Sequence, residues 1–235
     1  MKHCASVLAL AVVAIAAVPA VSSAQAAPEV SRAVASGGIS VPGWTGKIDA
    51  AEASRGSVLE NSKLAPEGSA MHVTTGPAVA YWNAKNVATG DYTVMATFNE
   101  AKYMGLNNHP HPYGIMIGGN DLGTDQQSYL YCAAYGSGNF IVRGFGPAAF
   151  QLNGRGAPSP AVHKAAAVGE PVSQDIAVTV KGDNVSCSIN GTTVASYTKA
   201  EVVGAGKLKS TDGTYGIRFS HNTEATVTNF MVMKP

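Results

Sequence analysis

Apolar and polar residues alternate along most of the chain, which is the pattern of β-strands that bury one face. In residues 92–98 the apolar side chains fall at every second position, from Tyr92 to Phe98. The same alternation recurs further along the chain with few residues between one stretch and the next. Strands are predicted at residues 71–75, 78–82, 92–98, 113–117, 128–135, 140–144, 176–180, 185–189, 192–197, 215–219 and 225–233.

Turn signals separate these strands. Asn190-Gly191 is a typical two-residue hairpin turn, and the alternation slips near Asn229, which predicts a bulge in the last strand. Helical turns are expected only within residues 49–57 and 199–203. Many short strands without βαβ spacing predict an all-β protein, a two-sheet antiparallel jelly-roll sandwich.

The composition supports a globular chain. The hydrophobic fraction is 46%, which is enough for a sizeable core, and 26 Gly and 12 Pro residues favour turns over long helices. Charged residues make up only 13%, with 16 basic against 15 acidic side chains. This balance argues against nucleic acid and against anionic lipid as partners.

The N-terminus has the pattern of a signal peptide. Lys2 precedes an apolar run at residues 7–18, which is too short to cross a bilayer as a helix. Ala24-Gln25-Ala26 then offers the small residues of a cleavage site. We expect residues 1–26 to be removed, a secreted or periplasmic protein, no membrane span after cleavage, and a folded domain over residues 38–235. The alternative is a membrane anchor.

Two cysteines remain after residue 26, Cys132 and Cys187. Both fall in the inward phase of their predicted strands. Export permits a disulfide, so the two side chains form either a bridge between sheets or two buried free thiols.

The connection over residues 147–171 is unusually long for a compact domain, and such loops are often functional. The alternative is a segment that covers a sheet without binding anything. Its polar side chains are Gln151, Asn153, Arg155, His163 and Lys164.

Three stretches resemble a known superfamily. Residues 176–191 (IAVTVKGDNVSCSING), 213–222 (GTYGIRFSHN) and 113–122 (YGIMIGGNDL) are similar in order and turn type to strands of the concanavalin A-like lectin/glucanase superfamily. Within it, the chain most resembles bacterial laminin-G-like domains of the 3-keto-disaccharide hydrolase type. The resemblance implies a jelly-roll sandwich with a curved sheet that can hold a sugar, and both binding and hydrolytic roles.

The acidic residues give little support for catalysis. The Glu-x-Asp-x-x-Glu run of the laminarinase-like branch is missing, although carboxylates distant in sequence could still meet. Asp121 and Asp125 could contact a hydroxyl group or Ca²⁺, but turn formation explains them more simply. No cofactor is expected, and calcium has no further support.

Histidines are concentrated in His109-Pro110-His111-Pro112. Two imidazoles at i and i+2 of an extended segment point the same way, but a metal site needs at least three ligands. The prolines more simply fix an extended loop. A third alternative is that His111 contacts a ligand at the rim of the sandwich. No metal site is predicted.

Tyrosines line one face of the strand over residues 128–135. Tyr129, Tyr131 and Tyr135 share this face, and Arg143 is expected beside them on the next strand. Aromatic rings with hydroxyl tips suit a pyranose ring. The alternative is that these rings are buried or covered by the long loop.

These observations predict a secreted carbohydrate-binding module whose partner is a carbohydrate or an envelope glycan. The predicted ligand-binding residues are Tyr129, Tyr131, Tyr135, Arg143 and His111. A glycoside or keto-sugar hydrolase and a non-sugar envelope interaction domain are the alternatives.

Overall fold

The structure is a computed structural model that describes Met1 and residues 30–234. Residues 31–235 form one compact unit. The predicted signal peptide lies outside the described residues, apart from Met1. Within the part of the chain that is described, no helix has the length and apolar character needed to cross a membrane.

Residues 30–234 contain sixteen strands and three short helical segments. The strands are β1 (Gly38–Ile39), β2 (Trp44–Ile48), β3 (Lys63–Glu67), β4 (Ala70–Thr74), β5 (Val79–Ala88), β6 (Tyr92–Glu100), β7 (Tyr113–Asn120), β8 (Ser128–Tyr135), β9 (Asn139–Phe145), β10 (Ala149–Gln151), β11 (Ala157–Pro158), β12 (Val172–Lys181), β13 (Asn184–Ile189), β14 (Thr192–Thr198), β15 (Gly213–Phe219) and β16 (Glu224–Met233). The helical segments are α1 (Ala50–Ala53), a 3₁₀ turn (Leu59–Asn61) and α2 (Lys199–Val202).

The strands form two sheets. Sheet A has the order β1-β3-β4-β16-β6-β12-β13-β14, and sheet B has the order β10-β9-β8-β7-β15-β5-β2, with β11 paired to β9. Neighbouring strands are antiparallel except β1 and β3. The predicted all-β, two-sheet sandwich is confirmed. This two-sheet arrangement agrees with the jelly-roll sandwich that the resemblance implied.

The core lies between the sheets, where the predicted alternation places the large side chains. Val94 and Phe98 of β6 and Ile217 and Phe219 of β15 belong to one cluster and are fully buried. The predicted bulge is also confirmed: the pairing of β16 with β6 shifts between Thr228 and Met231, and Asn229 has a φ of 52°.

The two cysteines join the sheets. Cys132 of β8 and Cys187 of β13 form a disulfide with a Cα–Cα distance of 5.9 Å. The structure therefore contains the bridge rather than two free thiols.

The long connection is partly built into the sandwich. It contains β10 and β11, which the sequence pattern does not reveal because each is so short. Val162 enters the main core. The buried side chain of Gln174 accepts a hydrogen bond from the His163 backbone N–H at 3.0 Å and donates one to the His163 carbonyl at 2.7 Å. This segment therefore covers the core.

Candidate functional site

A cavity of about 350 Å³ opens on the outer face of sheet B, the face directed away from sheet A. It lies near one end of the sheet, where β15 ends and β7 begins. Side chains from β8, β9 and β15, a proline-rich segment and α1 meet there. The cavity is lined by Asp49, Glu52, Ala78, His109, Pro110, His111, Pro112, Tyr131, Tyr135, Ile141, Arg143, Arg218, Ser220 and His221.

Small side chains on either side of Arg218 create the depression. In the register of sheet B, Arg218 pairs with Ala80 on one side and with Gly114 on the other. Gly114 in turn pairs with Ala133. Because these neighbours project little above the sheet, they leave space around the Arg218 side chain.

Arg218 forms a buried ion pair with Asp49. Nη2 of Arg218 lies 2.6 Å from Oδ2 of Asp49, and the two side chains are 6% and 22% exposed. The guanidinium also lies over the ring of Tyr131, 5.6 Å from its centroid. Burial lowers the pKa of Arg218, but the interactions with Asp49, Tyr129 and Tyr131 together outweigh it and raise the pKa above its ordinary value. The arginine is therefore charged.

Two buried arginine nitrogens beside the cavity lack a hydrogen-bond partner in the described part of the chain. Within the described residues, Nη1 of Arg218 and Nε of Arg143 are buried and make no hydrogen bond. Buried donors without a partner are uncommon and call for an explanation. Both residues line the cavity, so a small rotation of either side chain toward the cavity would bring its nitrogen to an acceptor oxygen of a ligand.

Glu52 is the second carboxylate at the cavity and is buried, 6% exposed. Its oxygens accept hydrogen bonds from the Ala78 backbone N–H at 2.8 Å and from the Ser31 hydroxyl. Its Oε1 also lies 3.4 Å from Nδ1 of His221. Burial raises the pKa of Glu52, but the hydrogen bonds from His221, Ser31 and Ala78 together outweigh it and lower the pKa. Glu52 is therefore ionised near neutral pH.

Three histidines meet at the rim of the cavity. The ring centroids of His109 and His111 are 4.2 Å apart, and those of His111 and His221 are 4.0 Å apart. One candidate ligand nitrogen from each ring lies within 4.8 Å of the other two. The sequence pattern identified His109 and His111 as neighbours that point the same way, whereas the fold supplies the third imidazole.

The tyrosine row faces the predicted side of β8, away from Leu130 and Cys132 of the main core. It is not an exposed platform, however, because Tyr129 and Tyr131 are only 1% and 5% exposed. They belong to a second apolar cluster with Trp82, Met116, Ile141 and others. Tyr131, Tyr135, Arg143 and His111 line the cavity, whereas Tyr129 lies outside its lining.

The other candidate polar residues lie away from this cavity. Asp125 pairs with Lys47 at 3.2 Å, and Asp121 pairs with Lys209. No residue of the 147–171 connection belongs to the lining of this cavity.

The charged and titratable cavity residues that the sequence did not indicate as ligand-binding include Asp49, Glu52, Arg218 and His221. The available signal was weak. Asp49 and Glu52 lie at a short predicted helical turn, and Arg218 is a single charged residue on the outward phase of a strand. Nothing in the local sequence links these positions to each other.

No protein-family model and no curated protein matches the chain. Among solved structures, it is similar to the carbohydrate-binding module CBM66 from Bacillus subtilis, with a TM-score of 0.54 and 9% identity over 84% of this chain and 99% of that one. It is also similar to a Bacillus subtilis protein of unknown function with a galectin-like fold, with a TM-score of 0.53 and 12% identity over 80% of this chain and 88% of that one. At such low identity, these similarities show the β-sandwich fold and no more.

Proposed function

We propose that the protein binds a saccharide in the cavity on the outer face of sheet B. The observation that carries this proposal is the buried Arg218–Asp49 pair, whose guanidinium has an unbonded Nη1 donor beside the Tyr131 ring. Fixed polar groups next to an aromatic wall suit a ligand with many hydroxyl groups. The volume, about 350 Å³, falls in the range of small-molecule sites.

The charges at the site favour a neutral sugar. The positive charges of Arg143 and Arg218 are balanced by the carboxylates of Asp49 and Glu52, which line the same cavity. Arginine nitrogens donate to hydroxyl oxygens, and the carboxylates accept from hydroxyl hydrogens. Tyr135, which lines the cavity and is partly exposed, offers the aromatic ring that would contact the apolar face of a pyranose.

Similar folds support the proposal without deciding it. One similar structure is described as a carbohydrate-binding module and another as galectin-like. The disulfide supports a location outside the cytosol. We infer a secreted or periplasmic protein whose partner is a carbohydrate or an envelope glycan.

Hydrolysis by a pair of carboxylates is a weaker candidate. A glycosidase of that kind needs a carboxyl group that stays protonated to act as an acid. The pKa of Glu52 is lowered, and Asp49 is ion-paired with Arg218. Neither carboxyl therefore has the environment of a general acid, which favours binding over this form of catalysis.

A second cavity, of about 460 Å³, lies beside Trp44 and Phe230. Its lining includes these two aromatic rings, whose centroids are 5.4 Å apart, and the side-chain amides of Asn86 and Asn229, but no charged side chain. Its lining includes no buried donor without a partner. This cavity provides a control for the location of the site.

The proposal is tested by screening the purified protein on an array of mono- and oligosaccharides that includes bacterial envelope glycans, followed by calorimetric titration. We expect Arg143→Gln to weaken binding at least tenfold. Arg155→Gln, at an exposed arginine outside the cavity, and Trp44→Ala should leave affinity within twofold. Absence of any saccharide binding would overturn the function. Loss in Trp44→Ala with full binding in Arg143→Gln would overturn the location.

A further inference from the structure

We propose that His109, His111 and His221 bind one divalent transition-metal ion, with Zn²⁺ as the preferred ion, at the rim of the cavity. Imidazole is a good ligand for zinc, copper, nickel and iron. Three histidines with a remaining open position form a recognised type of zinc site. The metal site does not depend on saccharide binding.

The three rings are already close to the spacing that an ion needs. One nitrogen of each lies within 4.8 Å of the others, whereas ligand nitrogens around a tetrahedral zinc are about 3.3 Å apart. Closing that difference requires small side-chain rotations. His109 is exposed and therefore has room to move.

Two hydrogen bonds hold together the two segments that carry these histidines. The Ser220 N–H donates to the Pro112 carbonyl at 2.9 Å, and the Asn107 side-chain amide donates to the Asn222 carbonyl at 2.9 Å. One contact lies on each side of the histidine cluster along the chain. Pro110 and Pro112 restrict the backbone between and after the first two histidines. The cluster is therefore positioned by the fold rather than by chance contact of mobile side chains.

Each ring also has an oxygen beside its Nδ1. The partners are Asn108 Oδ1 for His109 at 3.0 Å, Ser220 Oγ for His111 at 3.4 Å, and Glu52 Oε1 for His221 at 3.4 Å. Histidines that bind metals commonly donate their second ring nitrogen to such an oxygen, which fixes the tautomer and the ring orientation. When Nδ1 donates, Nε2 carries the lone pair of the ring.

The carboxylate–histidine contact is the most specific of these. Glu52 is buried and is itself fixed by the Ala78 N–H and the Ser31 hydroxyl. A carboxylate held behind a histidine increases the basicity of the ring as a ligand. This arrangement gives Glu52 a positioning role toward His221.

Three protein ligands leave at least one coordination position for water or another oxygen. Because the histidines line the same cavity as Arg143 and Arg218, that position could be taken by a hydroxyl group of a bound sugar. This last step rests on the proposed function, whereas the binding of the ion does not.

The test is a calorimetric titration of chelator-treated, tag-free protein with ZnCl₂ and no saccharide. We expect one ion per chain. His111→Ala and His221→Ala should weaken binding at least 100-fold, and His109→Gln, at the exposed position, at least tenfold. The control is His163→Ala, at an exposed histidine whose Nδ1 contacts the Ser173 carbonyl at 2.8 Å, and it should bind as the unchanged protein does.

Thermal unfolding without metal identifies variants that fail to fold, and His109→Gln keeps the test decisive if the other two do. Titration with CoCl₂ should produce visible absorption bands of a tetrahedral ion in the unchanged protein and in His163→Ala only. No zinc binding, or equal binding by His109→Gln and the unchanged protein, would mean that the cluster only packs imidazoles together and would overturn the proposal. A saccharide screen that fails while zinc binds would count against the proposed function alone.

Discussion

Arg218 and Asp49, which lie 169 positions apart in the sequence, form an ion pair with a 2.6 Å Nη2–Oδ2 distance on the outer face of sheet B. Removing one partner of a buried pair leaves an uncompensated charge, which typically costs about 3–5 kcal/mol. We expect Asp49→Ala to lower the free energy of unfolding by about 3 kcal/mol, near the lower end because Asp49 is partly exposed. Urea denaturation measures this change.

The matched control is Asp125→Ala. Asp125 pairs with Lys47 at 3.2 Å, but its side chain is 98% exposed. Exposed pairs contribute about 0–1 kcal/mol, so this variant should unfold almost as the unchanged protein does. If the two variants were equally destabilised, the Arg218–Asp49 pair would contribute no more to stability than an exposed ion pair, and the prediction would be wrong.

The buried carboxyl group of Glu100 should make the free energy of unfolding depend on pH. Burial raises the pKa of this carboxyl to about 7, against partial opposition from hydrogen bonds with Met104 and Tyr113. The folded state therefore binds more protons than the unfolded state between about pH 4.5 and 7. The contribution of Glu100 to the free energy of unfolding is therefore fully present below about pH 4.5 and is lost as the pH rises through about 7.

Replacing Glu100 by Gln should remove this dependence, because the amide stays neutral. Between pH 4.5 and pH 8, the unfolding free energy of the unchanged protein should fall by about 3 kcal/mol relative to that of Glu100→Gln. Urea denaturation at several pH values measures the difference. The control is Glu60→Gln, at an exposed position, whose unfolding free energy should change with pH as that of the unchanged protein does. The prediction would be contradicted if the unfolding free energy of Glu100→Gln also followed that of the unchanged protein at every pH.

The disulfide should contribute substantially to stability. Cys132 and Cys187 are separated by 55 positions, and closing a loop of that length in the unfolded chain corresponds to about 4 kcal/mol in the chain-entropy model. We expect the Cys132→Ala, Cys187→Ala double variant to lose 2–4 kcal/mol in chemical denaturation. Dithiothreitol should destabilise the unchanged protein and leave the double variant unaffected; an equal response of both would refute the prediction.

Gln174 should hold the long connection in place. Its side chain is fully buried, bonds to both backbone groups of His163, and accepts from the Asn190 amide at 2.8 Å. Gln174→Leu removes these bonds and should cost about 1–3 kcal/mol. It should also speed hydrogen exchange around residue 163. Gln126→Leu, at an exposed residue, is the control, and unchanged exchange in Gln174→Leu would show that the contact does not restrain the segment.

Local patterns were enough to predict much of the fold. The alternation in β6, β8 and β15 identified both the strands and their inward faces. Segments with little alternation were missed, such as β2, which buries only Ile48, and β3, which contains Pro66. These segments are strands because they form hydrogen bonds with neighbouring strands, β2 with β5 and β3 with β4, and their own sequences carry little strand pattern.

The candidate site divides in the same way. The sequence by itself identified His109 and His111 as neighbours, because two residues apart on an extended backbone is a local relation. It also placed Tyr131 and Arg143 on one surface. It did not show how deeply Tyr129 and Tyr131 are buried, because burial depends on side chains from other strands such as Trp82 and Met116.

Only the tertiary structure brought His221 and Glu52 to the first two histidines and Asp49 to Arg218. Those contacts join positions that share no local pattern, since they depend on the antiparallel register of β15 between β5 and β7. The sequence thus determined the layers and their inward faces through the two-residue period of a strand. Packing of distant segments determined the charges and ligand nitrogens of the cavity.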